Sequence, residues 1–140
     1  MKVKLIIWDL DDTLWEGTLA EGDNLHLSEF RAGIIRSLNS HGIVNAICSK
    51  NDFRMAEEHL INLGLWDEFV FPKISFSPKG PIVKQILDEM HLRAENTIFI
   101  DDNNMNLREV EHYVPGITTL DALGEETDSI LQNILDENSH

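Results

Sequence analysis

The 140 residues include 11 Lys and Arg against 25 Asp and Glu, a formal charge of −14, with 42% hydrophobic and 26% charged residues. That is the balance of one soluble folded domain, and its excess negative charge opposes any broad attraction to nucleic acid or an anionic membrane, both of which need clustered positive charge. The longest apolar runs fall far short of the ~20 residues that span a bilayer, no signal-peptide pattern opens the chain, and the lone Cys48 cannot form an internal disulfide, so the chain reads as cytoplasmic.

The apolar run KLIIW at residues 4–8 predicts a buried strand that ends abruptly in Asp9, Asp11 and Asp12. Residues 15–24, with Gly17 and Gly22, predict a turn-rich hairpin or loop. Ser28 is a good N-cap, Phe30, Ile34, Ile35 and Leu38 then recur at helical spacing, and Gly42 is a stop. Residues 43–48 form the next strand, ending in Ser49, Lys50 and Asn51. A helix over 52–63 places Met55, His59, Leu60 and Leu63 near one face, and Ser49 could serve as its N-cap. Residues 69–76 predict a short or broken strand, because Pro72 lies inside it.

The set Ile82, Val83, Ile86, Leu87 and Met90 marks a helix over 79–92, and residues 97–100 form a strongly apolar strand ending in Asp101 and Asp102. Leu107, Val110 and Val114 predict another helix, residues 116–120 a last short strand, and residues 127–135 a terminal helix followed by a frayed DENSH tail. Trp8 and Trp66 are expected in the core, Trp15 either in the core or against a pocket, and Cys48 as a small buried hydrophobe. No linker or repeat divides the chain, so residues 1–140 read as a single domain, with 121–140 its terminal helix and tail.

Alternating strands and helices predict an α/β three-layer sandwich, a central parallel sheet with helices on both faces. In such a sheet ligands bind beyond the carboxyl ends of the strands. Asp9, Asp11, Asp12, Asp101 and Asp102 therefore converge on one rim, flanked by Ser49 and Lys79. Converging carboxylates repel unless a cation neutralises them, and an all-oxygen donor set favours Mg²⁺ over Zn²⁺. Mg²⁺ held by few carboxylates completes its octahedron with water and phosphate oxygens, which points to phosphoryl chemistry. Lys79 supplies positive charge and Ser49 a hydrogen-bond donor for a phosphate oxygen.

These residues resemble the haloacid dehalogenase superfamily of phosphotransferases over residues 4–116. DLDDTLW at residues 9–15 is similar to its first motif, D-x-D-x-T, Ser49 after its strand to the second, Lys79 to the third, and IFIDD at 98–102 to the fourth. Within the superfamily, WDLDDTLWEG, CSKND, SPKG and FIDDN are most similar to the FkbH-like subgroup, subfamily IIIC. The resemblance implies that Asp9 is the nucleophile, forming an aspartyl-phosphate, and that Asp11 is the general acid and then the base. It implies Mg²⁺ held by the Asp9 side chain, the Asp11 backbone carbonyl and Asp102, with Asp101 acting through water or by orienting its neighbours. Thr13 steadies the loop, and Ser49, Lys50, Lys79 and Thr13 are the candidate phosphate contacts. Many family members have Gly where Asp12 stands, and Asp12 is expected to point away from the metal.

Only residues 16–27 and 49–79 are open to the insertions that cap related sites, so the resemblance implies a capless or minimally capped enzyme with an open site. Such a site admits a small-molecule or carrier-linked phosphate ester, and a homodimer or protein partner could cover it. Three functions follow: a Mg²⁺-dependent phosphohydrolase, an FkbH-like domain that hands a phosphorylated group to a carrier protein, or a metal- or partner-binding module without turnover.

Overall fold

In the computed structural model, which describes residues 2–138, five parallel strands form the central sheet. They are β1 (Leu5–Trp8), β4 (Val44–Ser49), β5 (Val70–Ile74), β6 (Thr97–Asp101) and β7 (Thr118–Asp121), in the spatial order β5, β4, β1, β6, β7. Strands β2 (Trp15–Glu16) and β3 (His26–Leu27) pair as a small antiparallel hairpin beyond the end of β1. The helices are α1 (Glu29–Ser40), α2 (Phe53–Asn62), α3 (Lys79–Met90), α4 (Asn104–Tyr113) and α5 (Thr127–Glu137).

Strand alternation divides the core in two. Ile6 and Trp8 of β1 face one layer with Ile35 and Leu38 of α1, Leu60 of α2, and Leu131 and Ile134 of α5. Leu5 and Ile7 face the other, with Val83 and Ile86 of α3 and Leu107 and Val110 of α4. Burial on both faces explains why β1, β4 and β6 read as continuous apolar runs. Pro72 is tolerated because β5 is an edge strand, and the ladder to β4 shifts register beside it.

Three predicted faces need correction. Phe30 and Met55 are 43% and 42% exposed, so the buried apolar stripe of α1 begins at Ala32, and that of α2 runs through Ala56 and Leu60. Trp66 lies in a 3₁₀ turn, Trp66–Glu68, and only packs against the core from its margin. Asp136 and Glu137 of the predicted frayed tail belong to α5; residues 139 and 140 lie outside the described residues. Among the described residues no helix is long and apolar enough to cross a membrane.

The register sets the site. Trp8 pairs with Ile47 of β4 and Ile100 of β6, so Asp9, Ser49 and Asp101 all emerge at the same end of the sheet. The Asp9 N–H still donates to the Ile100 carbonyl, at 3.0 Å, which holds Asp9 in line with the strand.

Candidate active site

After Asp9 the chain makes one helical turn: the Leu10 carbonyl accepts from the N–H groups of Thr13 (3.0 Å) and Leu14 (2.9 Å). This turn separates Asp9 from Asp11. Asp12 follows with φ 55°, a left-handed conformation that Asp tolerates better than most residues and Gly adopts freely. Its Oδ1 accepts from the Gly17 N–H at 2.8 Å, so Asp12 is committed to the loop.

Asp9 and Asp101 are 5% and 0% exposed, and the ammonium of Lys79, itself 2% exposed, joins them. Lys79 Nζ donates to Asp9 Oδ1 at 2.9 Å and to Asp101 Oδ2 at 2.6 Å. Thr13 Oγ1 donates to the other Asp9 oxygen at 3.1 Å. Asp101 is held further by the Asn103 N–H (2.9 Å) and Asn106 Nδ2 (3.2 Å). Asp102 is half-buried, and one oxygen from each of Asp9, Asp101 and Asp102 lies within 4.8 Å of the others. Lys79 is the first residue of α3, and its buried side chain is aimed inward at these carboxylates.

Burial pushes the Asp9 carboxyl up to about 8, the negative Asp101 adds to the rise, and Lys79 opposes it. Burial also works to lower Lys79, but Asp9 and Asp101 outweigh it and hold the ammonium above its ordinary range. Asp102 is raised as well, by burial first and by Asp101, against a hydrogen bond with Asp9 that lowers it. Lys79 therefore stays charged. With all three carboxyls ionised, the form a bound cation would favour, the one ammonium leaves two negative charges, which a divalent cation balances, and the all-oxygen donors suit a hard one.

Ser49 is 3% exposed at the end of β4, and its Oγ is a buried polar atom with no hydrogen-bond partner among the described residues. A buried hydroxyl left unpaired costs about 1–3 kcal/mol, so a ligand acceptor is the natural partner for it. Ser49 does not cap α2; Asp52 does, accepting from the Met55 N–H at 2.9 Å. Lys50 is exposed beside it and stands outside the buried cluster.

The Asp11 side chain is not part of the three-carboxylate group and has partners of its own. Its Oδ1 accepts from Trp15 Nε1 and from the Leu19 N–H, each at 3.0 Å, and its Oδ2 from Asn51 Nδ2 at 2.9 Å. Trp15 is 1% exposed, in the core and in contact with this site at once. The roles of Asn51 and Asn106 escaped the reading of the sequence; the one cue was that Asn51 sits among the polar residues directly following a strand, while Asn106 lies in the first turn of α4. Cys48 is buried on β4, and burial pushes its thiol up to about 12.

No protein-family model matches the chain, nor does any curated protein. Solved structures do. The N-terminal part of a Bacteroides fragilis protein containing a phosphatase domain, complexed with Mg, matches with a TM-score of 0.79 and 23% identity over 96% of this chain and 40% of that one. The chain thus spans less than half of that structure. A 3-deoxy-D-manno-octulosonate 8-phosphate phosphatase from Moraxella catarrhalis, in complex with magnesium ion, phosphate ion and sugar, matches with a TM-score of 0.70 and 17% identity over 98% of this chain and 88% of that one. A haloacid dehalogenase superfamily hydrolase from Ehrlichia chaffeensis matches with a TM-score of 0.73 and 12% identity over 96% and 99%. The five-stranded parallel sheet flanked by helices is the haloacid dehalogenase-like fold.

Proposed function

We propose that the chain is a Mg²⁺-dependent phosphohydrolase that cleaves a phosphate monoester through an aspartyl-phosphate on Asp9. The observation that carries this is the cluster at the end of β1: a buried ammonium paired with Asp9 and Asp101, an Asp102 oxygen grouped with theirs, and an unpaired Ser49 hydroxyl at the end of the neighbouring strand. The similar structures described with Mg, or with magnesium and phosphate ions together, support the same chemistry.

In this reading Asp9, the backbone carbonyl of Asp11, and Asp102 hold the cation, which when bound offsets the charge of the phosphoryl oxygens. Thr13 and Lys79 fix the two Asp9 oxygens, so that one is presented for in-line attack on phosphorus. Asp101 carries no bond-making role; fully buried and held by Asn103 and Asn106, it anchors Lys79. Ser49 Oγ and Lys79 Nζ donate to the transferring group. Asp11 protonates the leaving oxygen, then takes a proton from the water that opens the aspartyl-phosphate. Lys50, exposed on the rim, meets the part of the ester beyond the phosphate.

The hairpin of β2 and β3 encloses only a 3₁₀ turn, Leu19–Glu21, and no folded cap, so the substrate side of the site is open. On this reading the whole chain is one catalytic domain working in the cytoplasm. The FkbH-like motifs favour a second reading, in which the ester is presented on a carrier protein; a dimer or other partner would then cover the open rim.

Phosphate release from a panel of esters, with and without Mg²⁺, compares the native chain with Asp9→Asn. Metal-dependent release abolished by the substitution is the expected result. Unchanged turnover by Asp9→Asn overturns the mechanism, and transfer to a carrier without release of free phosphate favours the second reading.

A further inference from the structure

Asp11 receives three hydrogen bonds. Two come from its own loop and the hairpin it enters, through Trp15 and Leu19; the third comes from Asn51, 40 residues further along the chain, just beyond the end of β4. We propose that Asn51 is a positioning residue that fixes which Asp11 oxygen exchanges the proton with the leaving group and with water. This rests on the phosphohydrolase reading above.

Asn51 is 1% exposed, so its amide must be satisfied by protein. Its Oδ1 accepts from the Asp52 N–H at 3.1 Å while its Nδ2 donates to Asp11 Oδ2. Turned over, the amide would set an oxygen against a carboxylate and an NH₂ against an N–H, both repulsive. The orientation is therefore specified by its partners at both ends. Asp52 fixes the segment in turn, because its own side chain caps α2.

A carboxylate oxygen offers about two acceptor positions. Trp15 and Leu19 fill both on Oδ1; Asn51 fills one on Oδ2 and leaves one open. Oδ2 is thus the proton-carrying atom. In the first displacement an Asp9 oxygen bonds to phosphorus, the ester P–O bond breaks, and the Oδ2 proton passes to the leaving oxygen to give the alcohol. In the second, water oxygen bonds to phosphorus, its proton passes to Oδ2, and the bond from phosphorus to Asp9 breaks to give inorganic phosphate. The segment after β4 serves the reaction twice, through Ser49 at the phosphoryl group and through Asn51, two residues on, at the proton.

The test measures kcat/KM with Mg²⁺ for an alkyl phosphate, whose leaving oxygen needs a proton, and for 2,4-dinitrophenyl phosphate, whose leaving group departs without one. Asn51→Ala is expected to lower kcat/KM for the alkyl ester by about 10-fold to 100-fold and for the activated ester by no more than about threefold. Asn51→Asp, isosteric but set against the Asp11 carboxylate, gives the same split and keeps the question answerable if the Ala variant misfolds. Ser49→Ala should depress both esters alike. Equal losses on the two esters, or no loss, by an Asn51 variant with a native melting transition overturns the proposal. A native chain that turns over neither ester overturns the phosphohydrolase reading instead, and this inference with it.

Discussion

The Arg31 guanidinium donates to the main-chain carbonyl of Thr13 at 2.7 Å and so ties α1 to the loop that presents Asp9 and Asp11. A second nitrogen reaches the Ala122 carbonyl at 2.7 Å, and Nε pairs with Asp128 of α5 at 2.8 Å. One buried side chain thus locks three segments behind the site. Arg31→Met should cost about 2–4 kcal/mol in denaturant unfolding, since it strands two partly buried carbonyls. Asp128→Asn should cost under about 1 kcal/mol, because that partner is 51% exposed and its ion pair is solvent-screened. Similar losses for the two variants would contradict this division.

At the start of α3, a Cβ built on Gly80 would lie 2.3 Å from Tyr113 Cδ2 and 2.9 Å from its Cγ. The Gly80 N–H donates to Glu109 of α4 at 3.2 Å, so this contact sets the turn that carries Lys79. In the native background Gly80→Ala is expected to destabilise by about 1–2 kcal/mol through overpacking. In a Tyr113→Ala background the clash is gone, and Ala should stabilise by up to about 1 kcal/mol through helix propensity. Thermal melts of the four combinations check whether the sign reverses.

Much of this architecture is legible in the sequence because double-sided burial leaves a plain mark: KLIIW, IVNAIC and TIFID are apolar runs that stop at polar residues. The rim residues follow from those stops. What composition cannot show is which polar residue answers which. Asn51 and Asn106 carry no periodicity, Arg31 resembles any surface arginine of an amphipathic helix, and each gains its partner only from tertiary register. The same holds for Phe30 and Met55, which sit at the edge of a helical stripe and were decided by where the neighbouring layer ends.

Cys48, 1% exposed on β4, is raised by burial, against an opposing pull from the Lys79 ammonium, to about 12. A folded value above the unfolded one means the buried thiol supports the fold fully below the unfolded value near 9, and that this support is lost as pH climbs from there toward 12. At pH 8 alkylation of the native protein should therefore be slow, at least about 100-fold slower than in denaturant. Fast labelling of native protein at that pH would mean that β4 opens readily.

Asp11 and Asp102 are both expected at the metal, yet their side chains face different partners. Asp102 contributes an oxygen to the group with Asp9 and Asp101, whereas the Asp11 carboxylate is engaged by Trp15, Leu19 and Asn51. If Asp11 meets the cation only through its main-chain carbonyl, Asp11→Asn should leave Mg²⁺ affinity within about threefold while removing turnover of alkyl esters. If Asp102 is a ligand, Asp102→Asn removes its charge and should weaken Mg²⁺ binding by about 10-fold to 100-fold, with turnover recovered in part at high metal. Calorimetric titration of Mg²⁺ into each variant, alongside steady-state rates, separates the two. The reverse pattern would place the Asp11 side chain on the cation and take the proton away from Oδ2, because an oxygen committed to Mg²⁺ cannot also carry a proton to the leaving group.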